Sequence, residues 1–159
     1  MKKLNIDLEL LVQSFSFNDY DLGKEYLDTH TGDIINIPSE LNGVVQGENG
    51  EEDLESWQKD LLKDAYSINN DTDQRYIIIP NIEESYFHDV MVNFSKEEIS
   101  SEYLKEELLN ALESSQPTRN FKNIIFSYEE ETDKWQDYED EKAKEYAVNW
   151  LSNIGIEVE

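Results

Sequence analysis

Apolar side chains recur only at helical spacing through the second half of the chain. Stripes of residues three and four apart centre on Val90 and on Leu108, which predicts two helices separated by a break. Pro117 or Thr118 is placed to open a third helix. The longest stripe predicts a fourth helix over 132–153, with Gly155 as its C-terminal stop. We therefore expect a C-terminal block of about four helices.

The first half of the chain carries the strand signals. An amphipathic segment over about 5–16 predicts one N-terminal helix ahead of them. The segments 24–28 and 33–37 flank a turn that ends at Gly32, where a positive φ is available, and this pattern predicts a hairpin. A short β-branched run over 75–79 ends before a proline and predicts a third strand, which pairs with the hairpin. Together these strands predict a small antiparallel sheet.

The connection between the hairpin and the third strand is rich in glycine and acid. Residues 39–53 end in an acidic run, a composition typical of a mobile acidic loop with no buried core. A short helix follows, in which Leu61 and Ala65 recur at helical spacing and Trp57 is the predicted buried anchor. Neither segment changes the fold class.

Chain length and element order together define the predicted architecture. The 159 residues suit one domain, which buries roughly two thirds of its unfolded surface around a single core. No strand-helix-strand unit repeats, so a parallel sheet is not indicated. We predict a single acidic α+β domain over 1–159. In it, a small antiparallel three-stranded sheet packs against the C-terminal block of about four helices, with one N-terminal helix.

Net charge limits the partners of the chain. Thirteen Lys and Arg stand against 37 Asp and Glu, for a formal net charge of -24. Direct nucleic-acid binding and attachment to an anionic membrane both need clustered cations, so neither is expected. The acidity fits two alternatives: it keeps the protein in solution, or it docks a basic protein partner, of which mimicry of nucleic acid is a special case. Charge alone does not choose between them.

Other sequence features bear on the compartment. The absence of cysteine removes disulfides, thiol catalysis and thiolate metal sites. No apolar run approaches the roughly 20 residues that span a bilayer. The start Met1-Lys2-Lys3 leads into a segment with Asp7 and Glu9, which is unlike the apolar core of a signal peptide. We therefore expect an unexported, cytoplasmic protein.

Several short motifs share an order and spacing with a known family. They are Tyr26-Leu27-Asp28-Thr29 with Thr31-Gly32, Arg75-Tyr76-Ile77, Arg119-Asn120-Phe121-Lys122, Trp135 and Trp150-Leu151. Over nearly the whole chain they resemble the uncharacterised bacterial protein family UPF0158. The departures from the family pattern are Gln116-Pro117-Thr118 and the segment 43–71. The resemblance supports the predicted architecture and implies a bacterial source, and it assigns no reaction.

The sequence predicts no catalytic residue, no cofactor and no metal site. His30 and His88 are far apart in sequence; His30 is predicted to be a solvated turn residue and His88 a helix-surface residue. The loop that begins at Asn69 has the alternating acids of a calcium loop, but Gln74 and Pro80 stand where glycine and a bidentate glutamate are required. Nucleophile, phosphate-loop and dinucleotide motifs are absent.

A few cations in the acidic background form the first candidate site. Arg75 opens the third strand, and Arg119 and Lys122, three apart in one helical turn, can share a helix face. One interpretation is that these cations form ion pairs that tie the helical block to the sheet, with Asp28 as a candidate partner. The other is an anion or partner site.

Carboxylates on the last helix form the second candidate site. The candidate docking residues are Glu130, Asp133, Asp137, Asp140 and Glu141. They are either a solvated outer face or a docking surface. The favoured hypothesis is a non-enzymatic interaction or regulatory module that docks a basic protein partner. The alternative is a hydrolase that uses carboxylates and a divalent metal near Asp28, Arg75 and Arg119.

Overall fold

The computed structural model describes residues 1–17 and 21–159. These residues form two compact units. The first consists of Met1–Asn81 and Ala147–Glu159, and the second of Ile82–Tyr146. The single domain over 1–159 stays a prediction.

The first unit contains all the strands in the described residues. Its elements are β1 (Lys2–Leu4), α1 (Leu8–Phe17), β2 (Gly23–Asp28), β3 (Ile34–Pro38), α2 (Leu41–Val45), a 3₁₀ turn (Glu51–Asp53), α3 (Ser56–Asn69), β4 (Tyr76–Ile78) and β5 (Ile156–Val158). The helices that follow β4 are α4 (Glu84–Glu97), α5 (Glu102–Leu112), α6 (Pro117–Ile125) and α7 (Glu129–Asn153). The division between the units falls within α7. The α+β class, with a three-stranded sheet, an N-terminal helix and four later helices, is confirmed.

The three predicted strands form one antiparallel sheet in the order β3-β2-β4. The hairpin closes where the Asp28 N–H donates to the Asp33 carbonyl at 2.9 Å. Gly32 in the turn has a φ of 84°. A Cβ there would lie 2.6 Å from the backbone oxygen of Asn5, so glycine is required for both space and conformation.

A second, two-stranded sheet was not predicted. β1 pairs in parallel with β5, and Lys2 lies opposite Ile156. Each of these strands has three residues, too few for an alternating pattern to be visible in the sequence. The helices next to these strands in the sequence are also in contact. Phe15 of α1 and Trp150 of α7 pack edge to face with ring centroids 5.4 Å apart.

Two expectations about the segment before β4 are wrong. Helix α2 lies inside the predicted coreless loop 39–53, and its Leu41 and Val44 are buried in a cluster with Leu62 of α3. Leu41 and Val44 are three residues apart in a five-residue helix, and two apolar residues in a segment rich in glycine and acid are too few to predict a helix. Trp57 is also not a buried anchor, because its side chain is 52% exposed. Its indole Nε1 donates to Glu55 Oε2 at 2.6 Å.

The second unit is built on an aromatic cluster. Rings from three helices pack edge to face: the centroid of Phe94 lies 6.4 Å from that of Phe121 and 5.2 Å from that of Trp135. Phe121 and Trp135 are 4.9 Å apart. All three side chains are buried. Such contacts add about 0.5–1.5 kcal/mol per pair to burial alone, so this cluster fixes how α4, α6 and α7 pack.

Candidate functional site

Asp28 and Arg75 form a two-pronged ion pair. Arg75 Nη2 donates to Asp28 Oδ2 at 2.8 Å, and Arg75 Nε donates to Asp28 Oδ1 at 2.9 Å. The sheet register sets this meeting, because Asp28 at the end of β2 lies opposite Tyr76, the residue after Arg75. The pair therefore joins two neighbouring strands of the first unit.

The local hydrogen bonds hold the Asp28 carboxylate in its charged form. The hydrogen bonds from Arg75 lower the pKa of Asp28 from 3.8 to about 2, and the backbone N–H of His30, 2.9 Å from Oδ1, adds to this effect. The same pairing raises the pKa of Arg75. Each charge is thus engaged by the other, which leaves Asp28 unsuited to act as a general base.

Backbone contacts fix Arg75 further. Its carbonyl accepts hydrogen bonds from the N–H of Thr29 at 2.8 Å and from the Thr29 hydroxyl at 2.7 Å. Asp71 accepts from the Tyr76 N–H at 3.0 Å and from the Asp73 N–H at 3.1 Å. Sequence reasoning missed Thr29 and Asp71, although an Asp that bonds the N–H two residues on is a recognised turn signal.

The other two candidate cations lie on α6, in the second unit. Arg119 is exposed, and its Nη1 donates to Gln116 Oε1 at 3.2 Å. Lys122 is half-buried on the same helix. Phe121 between them is buried in the aromatic cluster, as its position in the sequence predicts. A role for Arg119 and Lys122 in binding an anion or a partner stays a prediction.

Within residues 1–17 and 21–159, no three His, Cys, Asp or Glu side chains are grouped so as to hold a metal ion. His88 lies on α4, where it is half-buried and its Nε2 lies 3.1 Å from the Leu112 carbonyl oxygen. Nor does the described part of the chain contain a helix with the length and apolarity needed to cross a bilayer.

The predicted acidic residues of α7 share one exposed strip. The acidic face consists of Glu130, Asp133, Asp137, Asp140 and Glu141, all of which are exposed. At about 100° per residue, these five positions fall within an arc of about 100°. Trp135, which anchors the same helix in the aromatic cluster, lies on the opposite side. The helix is therefore held by one side and presents carboxylates on the other.

Few cations offset this charge. Lys144 lies on the same strip and pairs with Asp140 at 3.1 Å. Lys134 stands at its edge and lies 3.8 Å from Glu131. Like charges three or four residues apart on a helix each cost about 0.2–0.5 kcal/mol, so the acidic face is maintained at some expense of helix stability.

Comparison with known proteins places the chain in a family. The model of the Uncharacterised protein family (UPF0158) matches residues 1–158. The chain belongs to the UPF0158 family. The resemblance seen in the hairpin, third-strand and C-terminal motifs is thereby confirmed.

Curated UPF0158 relatives come from several bacteria. A UPF0158 protein of Chlamydia pneumoniae is 29% identical over 143 residues, which are 90% of this chain and 39% of the relative. One from Chlamydia trachomatis is 29% identical, and the match covers 38% of its length. A UPF0158 protein of Pseudomonas aeruginosa is 24% identical over 99% of this chain and 88% of the relative. No solved structure matches the chain significantly.

Proposed function

We propose that this UPF0158 protein is a non-enzymatic interaction module of the bacterial cytoplasm that docks a basic protein partner through the acidic face of α7. One observation carries the proposal. Five carboxylates occupy a single exposed strip of a helix whose opposite side is anchored by the buried Trp135. A helix that is held by one side and presents a strip of five carboxylates on the other has the form of a docking surface.

Solubility alone does not require this arrangement. A net charge of -24 spread evenly would keep the protein in solution without like charges at adjacent helical positions. Concentrating acids on one strip costs helix stability, and a cationic partner surface would offset that cost. Complementary charge also steers association and accelerates the encounter of the two proteins.

The test compares two variants of equal net charge. In the first, the acidic face is neutralised by Glu130→Gln, Asp133→Asn, Asp137→Asn, Asp140→Asn and Glu141→Gln. The matched control neutralises five exposed acids on other helices or at a helix end: Asp60→Asn, Asp89→Asn, Glu97→Gln, Glu106→Gln and Glu113→Gln. Each protein is immobilised and exposed to bacterial lysate at physiological salt, where screening sets in beyond about 8 Å. Bound proteins are identified by mass spectrometry.

We expect the unmodified chain and the matched control to retain the same basic protein, and the acidic-face variant to lose it. Equal loss from both variants would show that only total charge matters and would contradict the proposal. So would the absence of any basic protein from all three captures at low as well as physiological salt. Addition of duplex DNA tests the special case of nucleic-acid mimicry, because DNA should then release the bound protein.

A further inference from the structure

Within the described residues, the sheet of the first unit has an open edge. β3 is an outer strand in the order β3-β2-β4. An open groove of about 550 Å³ runs beside it, lined by β3 together with Leu10 of α1 and with Trp57, Leu61 and Asp64 of α3. A sheet edge that borders a groove can accept another strand.

Alternate backbone groups of β3 point away from β2, towards the edge of the sheet. The hydrogen bonds from Asp28 N to Asp33 O at 2.9 Å and from Ser39 N to Leu22 O at 3.0 Å mark two ends of the β2–β3 ladder. Bonded positions alternate along an antiparallel pair. Ile35 therefore bonds to β2, whereas the N–H and C=O groups of Ile34 and Asn36 face outward. Among the described residues, β2 is the strand with which β3 pairs.

Apolar side chains flank the same edge. Trp57 is 52% exposed and Leu10 is 42% exposed, and both line the groove. Ile34 and Ile35 of β3 are half-buried and, as neighbours in a strand, point to opposite faces of the sheet. An added strand would place alternate side chains against apolar surface on each face.

The charge of the groove selects its occupant. Asp33 and Asp64 line it, and no Lys, Arg or His is among the described lining residues. A second copy of this chain is a poor occupant, because each copy brings the same two acids and a net charge of -24. A segment with Lys or Arg beside apolar residues complements both the charge and the surface.

We propose that the β3 edge binds an extended basic and apolar segment of a partner polypeptide, which adds to the sheet as a fourth strand. Main-chain hydrogen bonds to Ile34 and Asn36 supply affinity, and the surface around Trp57 and Leu10 supplies specificity. Asp33 and Asp64 receive the cations. This site lies in the first unit and does not depend on the acidic face of α7.

The test uses capped peptides in which lysine and valine alternate over about eight residues, near the usual strand length. Two further peptides carry N-methyl groups on every second residue, one on the odd and one on the even positions. An added strand bonds to β3 through one set only, so one methylated peptide should bind like the parent and the other should not. All titrations use the chain with a neutralised acidic face, which removes that competing site.

Variants in the chain probe the same bonds. Asn36→Pro removes an outward N–H while the ladder to β2 is retained, and proline is tolerated on an edge strand. Asn36→Ala keeps that N–H and is the matched control. Trp57→Ala removes apolar surface from the groove. We expect Asn36→Pro and Trp57→Ala to weaken peptide binding on the order of tenfold, a loss of about 1.4 kcal/mol, and Asn36→Ala to leave it unchanged.

Amide hydrogen exchange gives an independent readout of strand addition. On binding the unmethylated peptide, exchange at Ile34 and Asn36 should slow on the order of tenfold or more, whereas Ile35 is already protected. Equal binding of the two methylated peptides, or unchanged exchange at Ile34 and Asn36, would overturn the proposal. Protection of these amides that rises with protein concentration in the absence of peptide would instead assign the edge to a second copy and would likewise overturn it.

Discussion

Asp28 and Arg75 lie 47 positions apart in the sequence, and yet Arg75 Nη2 donates to Asp28 Oδ2 at 2.8 Å and Arg75 Nε donates to Asp28 Oδ1 at 2.9 Å. The Asp28 side chain is only 5% exposed, whereas that of Arg75 is 36% exposed. A nearly buried carboxylate is thus charged because a partly exposed cation engages it. Removal of either partner leaves the other without its counter-charge.

Replacement of Asp28 by Asn is expected to destabilise the fold by about 2 kcal/mol at neutral pH, because the pKa of the carboxyl group falls from 3.8 to about 2 on folding. A lowered pKa stabilises the fold above the unfolded value, and this contribution disappears as the pH falls through about 2. The difference in unfolding free energy between the wild type and Asp28→Asn should therefore shrink between about pH 5 and pH 2. Urea titrations across this range measure it.

Asp33→Asn is the matched control, since Asp33 is an exposed acid in the same hairpin. Its effect should stay within about 0.5 kcal/mol at every pH tested. A constant difference between the wild type and Asp28→Asn from neutral to acid pH would contradict the assignment of this stability to the charged form of Asp28.

Substitutions at the two ends of the pair should not be additive. Arg75→Gln leaves the buried Asp28 charge unpaired, so it should be destabilising on its own. Once Asp28 is Asn, the same change at Arg75 should cost much less, because the pair is already broken. Chemical denaturation of the two single variants and the double variant gives the coupling. Additive effects would show that Arg75 acts through contacts other than Asp28.

Gly32→Ala should destabilise the hairpin for two reasons. The φ of 84° is unfavourable for alanine, and the new Cβ would lie 2.6 Å from the Asn5 carbonyl oxygen. Gly47→Ala separates these causes, because Gly47 has a φ of 79° but no atom within 4 Å of such a Cβ. Gly47→Ala should cost about 1–2 kcal/mol from conformation alone, and Gly32→Ala should cost more. Equal losses in thermal unfolding would contradict the steric argument.

The tryptophans offer a contrast between core and surface. Trp135 is 3% exposed within the aromatic cluster, whereas Trp57 is 52% exposed. Trp135→Ala should cost about 3–5 kcal/mol, and Trp57→Ala should cost within about 0.5 kcal/mol. Denaturant unfolding at neutral pH measures both. A large loss in Trp57→Ala would restore the idea that this residue anchors α3.

The elements that the sequence predicts correctly are those whose patterns extend over many residues or require a special backbone conformation. The long helices and the turn at Gly32 could be predicted, because apolar periodicity over several turns, or a position that needs a positive φ, is compatible with few other local structures. Helix α2 and the pair β1–β5 were not predicted, because elements of three to five residues are too short to show a period. In addition, β1 pairs with a strand at the opposite end of the sequence. Asp28 could be named as a partner for Arg75 from its charge, but the two-pronged geometry depends on the β2–β4 register. Which aromatic residue is buried also depends on neighbours, as Trp57 shows.

Removal of one charge from the acidic face of α7 should stabilise the chain. Asp137 has acids four residues before it and three and four residues after it, against one lysine three residues before it. Because the like-charged neighbours outnumber the lysine by two, Asp137→Asn should stabilise the chain by about 0.5 kcal/mol at low salt. The gain should fade at high salt, where screening weakens the repulsion. Asp60→Asn on α3 is the control, and denaturation of both variants at two salt concentrations is the measurement. A gain that does not depend on salt, or an equal gain in the control, would indicate that crowding of charge on α7 is not the source of the added stability. A gain at low salt together with lost partner binding would mean that the helix gives up stability to keep its docking surface.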